Sequence, residues 1–200
     1  FYTEKIIRMP NSLFPTDDTL EKSEKIFKRE DLGIGIDSFV FSCFSQSKKI
    51  QIKEFSIWMR LLHKTPKSVL LLRKTSPPAM KNILKACQSF GIQQSRIIFV
   101  DSIEVRDHMS RQSCADLALD TFNFSSGTMT CLALKTGLPI LTLTGKTYSS
   151  RLTSSMLEAT GLQELICFSI KEYEDKAFEL SKNKDKLNKI KNKILFLKES

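Results

Sequence analysis

The stretch "SVLLLRKTSPPAMKNILKACQSFGIQQSRIIFV" (residues 68–100) contains an apolar run, a segment with helical periodicity and a second apolar run. Two prolines, Pro77 and Pro78, open the middle segment, and Gly91 lies just past its end. Proline at the start and glycine after the end are typical of a helix. The stretch therefore predicts a strand, a helix and a second strand that runs parallel to the first.

The same alternation continues along the chain and extends this unit into a sheet. The segment "KEFSIWMRLLHK" (53–64) places its apolar residues on one helical face. Strands that are apolar throughout indicate a parallel sheet covered by helices on both faces, an open α/β fold of Rossmann type over residues 38–180. The predicted strands are "FVFSCF" (39–44), "SVLLLR" (68–73), "RIIFV" (96–100), "DLALD" (116–120), "PILTL" (139–143) and "LICFSI" (165–170).

The two ends of the chain differ from this central lobe. Residues 1–37 predict a connector, with an extended part at "MPNSLFPTDD" and a short helix at "EKSEKIFKRE" (21–30). Residues 181–200 predict a basic amphipathic helix whose apolar stripe we expect to pack on a neighbouring lobe. The stripe consists of Leu187, Ile190, Ile194 and Leu197. Because the opening reads as mid-protein sequence, we expect the chain to be a piece of a longer protein.

The composition excludes several classes of protein. The five cysteines form no C-x-x-C pair, which disfavours zinc and disulfide sites and favours a reducing cytosol. No apolar run is long enough to span a membrane. The net charge of +9 invites nucleic-acid binding, but much of the excess lies in the terminal helix, without interleaved aromatic residues. A solvated helix face is the better interpretation, and we expect neither a membrane nor a nucleic-acid partner.

Ligands of such sheets bind beyond the carboxyl ends of the strands, and polar residues gather in those loops. Gln46 and Lys49 follow the first strand with a spacing that can direct both the same way. His108 and Arg111 share one face if their segment is helical. Lysine and arginine suit phosphate and imidazole suits a base, although a lysine after a strand is by itself more often solvated and a lone histidine is usually structural.

The third loop, "SSGTMT" (125–130), lies between a strand and a helix. Free N–H groups at a helix start favour an anion, and Gly127 lets a phosphate approach the backbone closely. An ordinary serine or threonine N-cap explains the same residues. The segment alone leaves both interpretations open. It matches neither a Walker A loop nor a G-x-G-x-x-G motif, and no catalytic triad or metal motif is evident.

Taken together and in order, these segments resemble one known family. They are "EKIIRMPNSLFPTDD", "FVFSCFSQSKKI", "FSIWMRLLHKTPKSVLLLRK", "GIQQSRIIFV", "RDHMSRQSCADLALDTF", "SSGTMTCLALKTGLPILTLTG" and "YSSRLTSSML". Their collinear order resembles the C-terminal catalytic lobe of the O-linked N-acetylglucosamine transferase and SPINDLY family. The resemblance implies a GT-B glycosyltransferase, in which tetratricopeptide repeats precede two Rossmann-like lobes and the C-terminal lobe carries most of the nucleotide-sugar site.

The resemblance also implies roles for particular residues. Lys49 would contact the donor diphosphate and stabilise the departing nucleotide, which makes it the predicted catalytic residue. His108 and Arg111 would lie beside the base, and the backbone of Ile103 would meet it. The predicted binding residues are Gln46, Lys49, Ile103, His108, Arg111, Gly127, Thr128, Met129, Thr130 and Leu132.

The implied function is the donor-binding half of an inverting protein O-glycosyltransferase. It would transfer N-acetylglucosamine from its UDP conjugate, or fucose from GDP-fucose, to serine or threonine of a protein, without a metal or other cofactor. An N-terminal lobe outside this chain would complete the active site, so we expect little transfer by this lobe alone.

Three departures from the family pattern motivate an alternative. Met129 stands where relatives have threonine, Val105 where animal enzymes have lysine, and Leu132 where relatives use an acid on the ribose hydroxyls. Loss of such a charge-assisted hydrogen bond costs roughly 1.5–3 kcal/mol, or about ten- to a hundred-fold in affinity. The alternative is a degenerate lobe that acts as a binding or scaffold module.

Overall fold

The computed structural model describes residues 3–7, 9, 17 and 19–199, and within them the chain forms a six-stranded, fully parallel sheet. The strand order is β3-β2-β1-β4-β5-β6. The predicted Rossmann-like α/β fold is confirmed. The strands are β1 (Phe39–Cys43), β2 (Ser68–Arg73), β3 (Ile97–Val100), β4 (Leu117–Leu119), β5 (Ile140–Leu143) and β6 (Ile166–Cys167).

Strand β1 lies at the point where the order of the sheet reverses. It pairs with β2 on one side, with Phe41 opposite Leu70, and with β4 on the other, with Phe41 opposite Leu117. The connection that leaves β1 therefore leads toward β2, and the connection that leaves β4 leads toward β5 on the opposite side of the sheet. A crevice opens between the carboxyl ends of these two strands, which is where sheets of this topology bind ligands.

Seven α-helices connect and cover the strands in the part of the chain that the structure describes. They are α1 (Ile52–Lys64), α2 (Pro77–Ser89), α3 (Val105–Arg111), α4 (Thr128–Lys135), α5 (Leu152–Ala159), α6 (Ile170–Lys182) and α7 (Lys184–Glu199). Helix α1 begins with a capping box in which Gln51 and Glu54 satisfy each other's backbone N–H groups. Helix α2 begins at Pro77, as the sequence predicts.

The core extends over both faces of the sheet. Residues 40–43 of β1 and 68–72 of β2 are buried without exception. Since successive side chains of a strand point to opposite faces, burial of every residue means that both faces are covered. Trp58 of α1 is also fully buried, and its indole N–H donates to the hydroxyl of Tyr173 in α6 over 3.3 Å.

The terminal helix α7 belongs to this lobe. Its predicted stripe residues Leu187, Ile190 and Ile194 are buried in the common core, whereas Leu197 is partly exposed. Helix α7 packs against α4 and α6. The expectation that the stripe covers a neighbouring lobe is therefore wrong, because the surface between α4 and α6 already receives it.

The predicted helix at residues 21–30 is also wrong. Residues 21–29 contain no helix, and a single 3-10 turn, Glu30–Leu32, precedes Gly33. Their backbone groups are used in tertiary contacts instead: the N–H of Ser23 donates to the carbonyl of Arg106, and the carbonyl of Phe27 accepts from the Cys114 thiol. These contacts with α3 and the turn after it hold the segment extended. Most of the predicted extended part at 9–18 lies outside the described residues.

No helix in the described part of the chain has the length and apolar character that crossing a membrane requires.

Gly137, two residues after the end of α4, lies close to Leu195 of α7. Its φ is +78°, and an added Cβ would lie 2.8 Å from Cδ2 of Leu195. Gly161 has a similar φ of +70°, but an added Cβ there would meet none of the described atoms within 4 Å. The two glycines thus separate backbone strain from steric conflict.

We expect Gly161→Ala to lower the free energy of unfolding by about 1–2 kcal/mol, the cost of a left-handed L residue. Gly137→Ala should lower it by about 1–3 kcal/mol more, because the methyl group also displaces Leu195. Urea unfolding of both variants measures the difference. Adding Leu195→Ala to Gly137→Ala should recover part of the loss, and equal losses for the two glycine variants would contradict this account of α7 packing.

Candidate functional site

The loops after β1 and β4 meet at the carboxyl edge of the sheet. The hydroxyl groups of Ser45 and Ser126 lie 2.9 Å apart and are hydrogen-bonded. Farther out, the side-chain amide of Asn123 donates to Oε1 of Gln51 over 2.7 Å. These contacts join the loop that carries Gln46 and Lys49 to the loop that precedes α4, so two of the predicted site segments form one wall of the crevice.

Asp120, the residue after β4, holds the loop between β4 and α4 in place. Its carboxylate is fully buried; Oδ1 accepts from the backbone N–H of Ser126 over 2.8 Å, and Oδ2 accepts from the hydroxyl of Thr142 over 2.7 Å. Burial raises the pKa of this carboxyl, and the hydrogen bonds oppose that rise. The side chain thereby ties the turn between β4 and α4 to the neighbouring strand β5.

The hydroxyl residues of "SSGTMT" mostly support the loop from within. The Ser125 hydroxyl donates to the carbonyl of Ser149, and the Thr130 hydroxyl donates to the carbonyl of Ser126, each over 2.9 Å. The backbone N–H of Thr130 also donates to the carbonyl of Gly127. Thr130 is fully buried and both of its donors are directed inward, so it braces the loop and does not face the crevice.

Three backbone N–H groups remain at the start of α4. Those of Gly127, Thr128 and Met129 have no hydrogen-bond acceptor within the described residues. The Thr128 side chain is exposed, whereas Met129 is half-buried and packs against the core. Unpaired N–H groups and the positive end of the helix dipole together favour an anion at this point.

Lys49 extends toward the same loop from the other side. It lies at the end of a 3-10 turn, Ser47–Lys49, and its Nζ is 3.9 Å from the ring centroid of Phe124. Partial burial lowers the pKa of this ammonium, and the negative charge of Asp120 opposes that shift. Gln46 is exposed at the beginning of the turn. A half-buried cation beside free N–H groups is suited to a phosphate ligand.

His108 and Arg111 lie together on α3, as predicted. Both are buried; Arg111 donates through Nη1 to the carbonyl of Asp101 over 2.7 Å, and its Nη2 lies 3.0 Å from Nδ1 of His108. Phe44, at the end of β1, meets the imidazole edge to face with ring centroids 4.7 Å apart. Ile103 is half-buried in the loop before this helix.

The electrostatic surroundings keep His108 neutral. Burial, together with the positive charges of Arg111 and Arg73, lowers its pKa to about 4. A neutral ring next to a guanidinium presents a flat, polar surface without an anionic group. The flat imidazole is suited to stacking on a nucleobase.

Leu132, where the family resemblance implies an acid, is enclosed by the fold. Its side chain is buried on α4 and offers neither a donor nor an acceptor. The sequence analysis also gave no role to Asp120, Phe124 and Gln112, although each contacts a predicted site residue or the phosphate loop. For Asp120 a signal existed, since a carboxylate that ends an apolar strand requires buried partners.

No cluster of three or more potential metal-ligating side chains occurs in the described ranges. The groups that face the crevice are the Lys49 ammonium, the start of α4, and the His108 imidazole with the Arg111 guanidinium beside it. Together they can hold an anion beside a planar group, which is the arrangement of a nucleotide.

Comparison with known proteins shows the family of this chain. The model of glycosyl transferase family 41 matches residues 6–200. A structure of a mutant O-GlcNAc transferase from Thermobaculum terrenum superposes with a TM-score of 0.78 and 28% identity, covering 81% of this chain and 32% of that one.

Two curated relatives show the same likeness. The probable UDP-N-acetylglucosamine–peptide N-acetylglucosaminyltransferase SEC of Arabidopsis thaliana is 32% identical over 96% of this chain. The probable enzyme of the same description named SPINDLY, from Solanum lycopersicum, is 27% identical over 95% of it. In both cases the match covers 20% of the relative, so this chain spans about a fifth of their length. The chain belongs to glycosyl transferase family 41.

Proposed function

We propose that this chain is the donor-binding lobe of a protein O-glycosyltransferase that uses a nucleotide sugar. The observation that carries the proposal is the convergence of Lys49 and the free N–H groups of Gly127, Thr128 and Met129 at the point where the strand order reverses. His108 and Arg111 supply a flat imidazole and a guanidinium beside it. Family membership and the descriptions of the relatives support the sugar-transfer chemistry.

The proposed chemistry is electrostatic. When the bond between sugar and diphosphate breaks, negative charge accumulates on the leaving phosphate oxygen. Lys49 and the start of α4 would stabilise that charge with groups already in place, so little reorganisation is needed during the reaction. The acceptor hydroxyl and the base that activates it would come from a part of the protein outside this lobe.

We further propose UDP-N-acetylglucosamine as the donor, because the relatives' descriptions specify it. Isothermal titration calorimetry of the chain with UDP and with GDP tests this choice. UDP binding without GDP binding is the expected result. Preference for GDP would support the alternative donor, GDP-fucose, and binding of neither would overturn the nucleotide proposal.

The buried leucine at position 132 favours a second candidate, a scaffold lobe with little donor affinity. An apolar side chain at that position supplies no hydrogen bond to a ribose. The scaffold candidate predicts no calorimetric response to any nucleotide, whereas the transferase candidate predicts binding that depends on Lys49.

Lys49→Ala should weaken UDP binding about ten- to a hundred-fold, the expected loss of a charge-assisted contact in a partly buried site. Lys48→Ala is the matched control, because it removes the same charge from the neighbouring exposed residue of the same turn. It should change affinity by no more than a few-fold. Equal losses for both variants would show that the net charge, and not the Lys49 contact, determines binding.

Asp120→Asn should lower the free energy of unfolding by about 1–3 kcal/mol, because the amide cannot accept from both Ser126 and Thr142. UDP affinity should fall as well, since the phosphate loop loses its anchor. Asp101→Asn serves as the control: Asp101 is exposed and pairs with Lys74 at the surface, where loss of the pair should cost less than about 1 kcal/mol. Urea unfolding and calorimetry measure both quantities.

The isolated lobe should show no measurable transfer of sugar to a peptide, because one lobe supplies only the donor side. A radiolabelled-donor assay with this chain alone checks this expectation. Transfer above the rate without protein would contradict the assignment of the acceptor side to another part of the protein.

A further inference from the structure

Gln112 lies between the two halves of the proposed nucleotide site. It follows α3 directly and is almost fully buried. Its side-chain nitrogen Nε2 is 3.3 Å from Nε2 of His108, and its oxygen Oε1 is 2.9 Å from the hydroxyl of Thr136, at the end of α4. A single amide therefore contacts both the base side of the site and the helix that carries the phosphate loop.

The contacts of His108 determine which of its nitrogens carries the proton. A guanidinium has only donors, so Arg111 can hydrogen-bond Nδ1 only if that nitrogen is unprotonated. The neutral imidazole then carries its proton on Nε2, which becomes a donor. A donor on His108 that faces the amide nitrogen of Gln112 would place two donors against each other.

Turning the Gln112 amide by half a rotation removes this conflict. Its oxygen then accepts from Nε2–H of His108, and its nitrogen donates to the Thr136 hydroxyl. That hydroxyl has acceptors of its own, because the carbonyls of Leu132 and Ala133 both lie 3.0 Å away. Amide oxygen and nitrogen are distinguished by such networks and not by shape, so the hydrogen bonds decide the orientation.

The result is a hydrogen-bond chain with one direction. With the amide turned, each group donates to the next, from Arg111 to His108, Gln112 and Thr136, and finally to a backbone carbonyl of α4. Both imidazole nitrogens then have a partner of the correct type, whereas Nε of Arg111, outside this chain of bonds, has no partner within the described residues. In the opposite amide orientation, one nitrogen of His108 would face a second donor.

We propose that Gln112 is a positioning residue that holds His108 as the Nε2-protonated tautomer and couples it through Thr136 to helix α4. Because protein groups engage both imidazole nitrogens, His108 would meet a base through its ring and not through a hydrogen bond. The effect on ligands rests on the proposed nucleotide function, whereas the tautomer and the coupling are properties of the free protein.

Nitrogen-15 NMR of the imidazole rings tests the tautomer without any ligand. The chain has two histidines, and His63, whose Nε2 lies 2.7 Å from the carbonyl of Phe90, provides an internal reference. The charged side chains that face His108 are Arg111 from its own helix and Arg73 from the end of β2. We expect Nδ1 unprotonated and Nε2 protonated from pH 5 to 8. A proton on Nδ1, or an averaged mixture of tautomers, would overturn the assignment.

Two substitutions at Gln112 separate positioning from general stability. Gln112→Glu keeps an acceptor for Nε2–H and should preserve the tautomer, while its negative charge should raise the pKa of His108 measurably. Gln112→Leu removes the acceptor and should abolish the slowly exchanging Nε2–H signal. If Gln112 had a purely structural role, both variants would change the unfolding midpoint and neither would move the titration of His108. That outcome would also contradict the proposal.

Coupling to α4 is tested with Thr136→Val, which removes the hydroxyl and so breaks the hydrogen-bond chain after Gln112. Gln112→Leu and Thr136→Val should each weaken UDP binding about ten-fold, and the double variant should be little worse than either, because both break the same chain. Multiplicative losses, or unchanged affinities, would refute the coupling. If the unaltered protein binds no UDP, the nucleotide function fails, and the NMR result still decides the tautomer.

Discussion

A buried carboxylate at the end of a parallel strand is the constraint on which the site depends. Asp120 lies where the strand order of the sheet reverses, and its two oxygens accept hydrogen bonds from the turn before α4 and from the adjacent strand β5. Burying a charge without partners is costly, so these hydrogen bonds stabilise the fold. The bond to Ser126 holds the residue before Gly127, and it thereby helps to orient the start of α4, where we propose that an anion binds.

The sheet topology explains why unrelated segments of sequence contribute to one crevice. The loops that leave β1 and β4 meet at the carboxyl edge, and the connections then continue to opposite sides of the sheet. Lys49 arrives from one loop and the α4 start from the other, and the contact between Ser45 and Ser126 sets their spacing. Helix α7 packs on α4 from behind, so the position of the phosphate loop also depends on the Gly137 and Leu195 contact far along the chain.

Local patterns predicted the strands and the larger helices because apolar periodicity and capping residues act over short distances. They also predicted that "SSGTMT" lies at a helix start. The sequence did not predict the structure where tertiary contacts compete with local patterns. Residues 21–29 have a helical pattern but pair with α3 and the turn after it, and the Thr130 donors turn inward to Ser126 and Gly127. Gln112 gave no signal, since its partners His108 and Thr136 are brought together only by the fold.

The charge balance of the crevice follows from the same arrangement. Asp120 places a negative charge below the loop, and a diphosphate would add more above it. The Lys49 ammonium is attracted by the Asp120 carboxylate and would be attracted by the diphosphate as well. The Phe124 ring holds the ammonium on one side while water remains excluded from part of its surface. His108 adds no further cation because its pKa is lowered, and the guanidinium groups of Arg111 and Arg73 supply the positive charge on the side where the base would lie.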